Sequence, residues 1–62
     1  MKYVGVVVWQ DTIDKTLASH VFFFNAENEA TAWEIVEREA AQQAADRPWA
    51  YNFNTNLREV PT

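Results

Sequence analysis

Hydrophobic residues recur every second position in three stretches of this chain and at helical spacing in a fourth, and the first stretch is apolar on both sides. In residues 2–10, KYVGVVVWQ, Val4, Val6 and Val8 fall on one side of an extended strand, and Tyr3, Val7 and Trp9 on the other, because successive strand side chains point to opposite faces. β-Branched and aromatic residues suit a pleated backbone, and apolarity on both sides predicts a central strand. Gly5 is the chain's one glycine, and inside a strand it predicts a bulge or the close approach of another group, with packing rather than a ligand as the cause. Residues 11–17, DTIDKTL, are turn formers without an Asn-Gly pair, which predicts a hairpin loop longer than two residues. The second strand, residues 19–25, sets His20, Phe22 and Phe24 against Val21 and Phe23.

The helical stretch runs over residues 29–45. Asn28 is placed to cap it, Glu29 complements the positive end of its dipole, and its alanines propagate it. An advance of about 100° per residue gathers Ala32, Trp33, Ile35, Val36, Ala40 and Ala44 into one stripe and leaves Glu34, Arg38 and Gln42 away from its centre. Pro48 predicts the end of the helix, since a proline disfavours helical backbone in the residue before it. The last strand, residues 49–60, alternates Tyr51, Phe53, Thr55 and Leu57 with Asn52, Asn54 and Asn56. A polar side and Pro61 near its end suit a sheet edge.

These elements predict a single α+β domain over residues 1–62: β-β-α-β, a three-stranded mixed sheet of order 2-1-3 with one helix packed on one face. A right-handed crossover makes the second and third strands parallel to each other, with the first between them. The expected helix-covered face holds Val4, Val6, Val8, Val21, Phe23, Tyr51, Phe53 and Leu57. The expected open face holds Tyr3, Val7, Trp9, His20, Phe22, Phe24 and the asparagine row. One helix covers one face only, so the open aromatic face is read as a protein interface, where aromatic anchors are enriched.

Composition narrows the function classes. A formal net charge of −4 argues against a domain that gains affinity by neutralising phosphates, so no direct nucleic-acid partner is expected. Apolar runs such as Val6 to Trp9 are far shorter than the roughly 20 residues of a membrane span, and the start lacks the features of a signal peptide. A cytoplasmic protein without a membrane partner is expected. Without cysteine and with one histidine, the chain offers neither a disulfide nor a ligand spacing for metal, and no cofactor is expected. Ser19 and His20 are neighbours whose side chains diverge on a strand, so no nucleophile-base pair forms and no enzyme is expected. Glu34 and Glu37 belong to a solvated acidic helix surface. With Glu27, Glu29, Glu39 and Asp46 they also raise the weaker alternative of an acidic nucleic-acid mimic.

Residues 24–37, FNAENEATAWEIVE, resemble the corresponding stretch of the small RNA polymerase inhibitors of T-odd coliphages, acidic-helix β-β-α-β early proteins of similar length. Ala26 and Glu27 before the cap, Asn28 at the cap, and Ala32, Glu34 and Glu37 carry the likeness. The resemblance implies a phage-type protein that acts in the host cytoplasm by binding and modulating a bacterial enzyme. That family uses charged residues of its last strand, where this chain has Arg58 and carries Asn54 and Asn56 in place of a more basic character. The expected function is therefore a non-enzymatic protein-binding module, an inhibitor or modulator of a host enzyme. Trp9, His20, Phe22, Phe24, Asn54, Asn56 and Arg58 are its expected contacts, and a self-associating homodimer is the alternative.

Overall fold

The computed structural model describes residues 1–61. Strands β1 (Lys2–Asp11) and β2 (Leu17–Asn25) form a hairpin, helix α1 (Glu29–Asp46) crosses the sheet, and strand β3 (Ala50–Glu59) returns along the far edge of β1. The order β2-β1-β3 is the one the sequence predicts. Both ladders are antiparallel, so the two outer strands run parallel to each other on either side of β1.

Local chemistry sets the boundaries. The Asn28 side chain accepts a hydrogen bond from the Thr31 amide at 2.8 Å, satisfying one of the orphan donors of the first turn. At the other end the Arg47 amide donates to Ala44 O, and Pro48 follows. In the hairpin loop, Asp11 Oδ1 accepts from the Ile13 and Asp14 amides at 2.8 and 3.2 Å, and Lys15 takes a positive φ of 58°. An aspartate bonding to amides two and three residues on holds a longer turn without Asn-Gly.

The packing of the sheet departs from the expected face assignment. Tyr3, Val7 and Trp9 form the core with Ala32 and Val36, so the row expected on the open face is the row beneath the helix. The β1–β2 register pairs Tyr3 with Phe24, Gly5 with Phe22 and Val7 with His20, which carries all three β2 partners to the helix side. Val4, Val6, Val8, Val21 and Phe23, expected under the helix, lie on the uncovered face. Gly5 is the physical reason. A Cβ there would stand 2.7 Å from Phe22 Cζ and 3.0 Å from Val36 Cγ2, so the missing side chain is the space in which Phe22 and the helix meet the sheet. Only the face that contains the glycine lets the helix come this close.

A second departure lies in β3. Its pairing with β1 shifts between Val8 and Gln10: Val8 faces Asn54, while Gln10 faces Tyr51. Asn52 and Phe53 together oppose Trp9, a bulge in which Asn52 takes a φ of 56°. The extra residue reverses the alternation, so Tyr51 shares the uncovered face with Asn54 and Asn56, while Phe53 and Leu57 stay beneath the helix as expected. The Phe53 ring stacks on Trp9 at 5.6 Å.

Candidate functional site

The uncovered sheet face is built from alternate residues of all three strands. Val4, Val6 and Val8 run along its middle, flanked in register by Phe23, Val21 and Ser19 of β2 and by Arg58, Asn56 and Asn54 of β3. Phe23 is 63% exposed, Val21 54% and Leu17, at the end of the β2 row, 78%. Lys2 holds its ammonium 5.7 Å from the centre of the Phe23 ring, within the range of a cation–π contact. With Arg58 beside Val4 it makes that end of the face basic, while asparagine amides line the β3 side. A shallow hollow of about 270 Å³ opens among Val6, Val8, Asn54 and Asn56. Such a face offers an apolar centre, a polar margin and two cations at one end.

Of the expected contact residues, the structure brings Asn54, Asn56 and Arg58 together on this face and removes the rest. Trp9 is 4% exposed beneath Arg47, whose guanidinium lies 4.9 Å from its ring centre. His20, Phe22 and Phe24 are half-buried on the helix side. There the three rings stack in a row at 5.4 Å intervals that continues to Tyr3 at 5.9 Å. Sequence reasoning missed Val4, Val21 and Phe23 as surface residues, although Gly5 in the opposite row was the signal that marks the packed side.

The helix side is tied down by polar links rather than left available. His20 Nε2 lies 3.1 Å from Glu39 Oε1, Gln43 Nε2 donates to that same oxygen at 3.2 Å, and Arg47 donates to Gln43 Oε1. This chain connects β2 to the cation above Trp9 along one flank of α1. Ser19 and His20 face opposite sides of the sheet, as strand geometry requires. Glu34 and Glu37 are exposed on α1, as expected, and Glu37 Oε1 accepts from Thr55 Oγ1 at 3.4 Å.

Two ionisable groups sit away from their ordinary range. Burial pushes the Tyr3 phenol up, and the negative charges of Glu59 and Glu29 push it further. At Asp11 burial acts upward, but hydrogen bonds from the Asp14 amide, the Trp49 indole and the Ile13 amide, together with the Arg47 charge, outweigh it and hold the carboxyl below its usual value. Asp11 is thus a hub: its Oδ2 takes the Trp49 indole N–H at 2.9 Å and ties the turn before β3 to the hairpin. Among the described residues no group of three or more His, Cys, Asp and Glu side chains is placed to hold a metal ion, and no helix is long and apolar enough to cross a membrane.

No family model matches this sequence, and no curated protein or solved structure matches it significantly.

Proposed function

We propose that this chain is a non-enzymatic protein-binding module whose interface is the uncovered sheet face centred on Val4, Val21 and Phe23, with Asn54, Asn56 and Arg58 as its polar margin. The observation that carries this reading is an aromatic ring left 63% exposed beside the central valine row of β1, on a face that helix α1 does not cover. Exposed apolar patches rimmed by polar groups mark interaction surfaces, and aromatic anchors contribute most of the energy at their centres. The likeness of residues 24–37 to the phage polymerase inhibitors supports a bacterial host enzyme as the partner, and the chain then acts as an inhibitor or modulator.

A second reading is favoured by one specific feature. The outer edge of β2 runs for nine residues without glycine, proline or bulge, whereas β3 is interrupted at Asn52, so β2 is free to pair with a second copy. Retention of a host protein on immobilised chain, compared among the parent, a Val21→Lys/Phe23→Lys double variant and a Glu34→Lys control, tests the proposal. The expected result is retention by the parent and the control, and its loss in the double variant while that variant melts like the parent. Loss in the control alone would move the interface to the helix. A dimer at micromolar concentration by light scattering would favour the second copy.

A further inference from the structure

A different set of groups converges at the end of the sheet where β2 leads into α1. Met1, Tyr3, Glu27, Glu29, Leu57 and Glu59 line a groove of about 260 Å³. Tyr3 is 2% exposed, and its hydroxyl has no hydrogen-bond partner among the described residues. Buried hydroxyls are normally paired, so this one marks an unfilled position. The carboxylates of Glu59 and Glu29 are close enough to raise its proton affinity, which locates the phenol oxygen inside the field of both. Glu27, Glu29 and Glu59 thus line the same groove as this unpartnered hydroxyl.

The charge balance selects the ligand. The Met1 ammonium is already bonded to Ala26 O at 3.0 Å, and with the half-charge of the helix N-terminus it offsets only part of three negative groups. The acceptors come from separate segments, Glu27 before the helix, Glu29 in its first turn and Glu59 at the end of β3, and Leu57 and the Tyr3 ring supply apolar walls. A planar, weakly hydrated cation with five N–H donors fits that arrangement better than a compact ammonium. We propose that the groove formed by Tyr3, Glu29 and Glu59 binds the guanidinium of an arginine side chain, its N–H groups donating to the two carboxylates and to the Tyr3 hydroxyl oxygen. This site stands apart from the uncovered sheet face and does not depend on what that face binds.

The test is a titration of the isotopically labelled chain with N-acetyl-arginine amide, followed by nuclear magnetic resonance, with the neutral isostere N-acetyl-citrulline amide as control. Saturable shifts at Tyr3, Glu29, Leu57 and Glu59 are expected with the arginine probe and none with citrulline. Tyr3→Phe keeps the ring and is expected to weaken binding roughly tenfold, the scale of a lost hydrogen bond to a charged group. Glu59→Gln, an exposed position, is expected to weaken it as well, while Glu34→Gln leaves it unchanged. Equal shifts with both probes, shifts spread over the whole acidic helix, or arginine binding untouched by both Tyr3→Phe and Glu59→Gln would each overturn the proposal.

Discussion

At the residue scale three residues carry distinct tasks, and each has its own test. Gly5 is the contact point between helix and sheet. Gly5→Ala places a Cβ against the Phe22 ring edge and the fully buried Val36, and is expected to cost about 1–3 kcal/mol as overpacking, read as a lower melting temperature. Asn28→Ala removes the bond to the Thr31 amide and is expected to cost about 1 kcal/mol, and an unchanged denaturation midpoint would show that the cap contributes nothing. Asp11 links stability to pH. A carboxyl lowered on folding gives stability that is fully present above its unfolded value, about 4, and lost as the pH falls through the folded one. Melting of the parent is therefore expected to drop below about pH 4, and that of Asp11→Asn to change less over the same interval. Parallel curves would show that the hydrogen bonds to Asp11 do not distinguish its two protonation states.

At the element scale, most of the architecture was legible. β1 reads as central because it is apolar on both sides, and the Asn28 cap and Pro48 bracket the helix to within a residue or two. The side of the sheet beneath the helix was not legible, for a physical reason: a two-residue period divides β1 into two rows without ranking them, and both rows here are apolar. The ranking is made by shape. The Tyr3 row combines large rings with the one glycine and interlocks with Val36, while the valine row is even and has nothing for a helix to enter. The bulge at Asn52 was hidden for a related reason, since Tyr51 to Leu57 alternates cleanly in sequence although the backbone inserts one residue. Asparagine tolerates positive φ better than most residues, and that was the available hint. Val36 is fully buried between helix and sheet, so Val36→Ala is expected to destabilise by about 2–4 kcal/mol, measured by denaturant unfolding. A midpoint like the parent's would contradict the helix-on-sheet packing.

At the scale of the whole molecule, the helix is displaced toward β3: it packs over β1 and β3 and scarcely reaches β2. The aromatic row of β2 is consequently only half-buried, and it is held by the His20–Glu39 contact and by ring stacking rather than by the body of the helix. Among the described residues nothing covers the opposite face. One sheet face remains uncovered after this exchange of rows, and under the proposed function the residues that would meet a partner change from Trp9, Phe22 and Phe24 to Val4, Val21 and Phe23. The most direct test is the thermal melting of Phe22→Ala beside that of Phe23→Ala in the isolated chain. Phe22 lies against Gly5 on the helix side of the sheet, and its truncation is expected to cost about 2–4 kcal/mol, on the order of 10 °C or more for a domain of this size. Phe23→Ala is expected to cost less than about 1 kcal/mol, because its ring is mostly in water in the isolated chain. Equal losses, or a larger loss at Phe23, would contradict an uncovered face and remove the basis for the proposed interface.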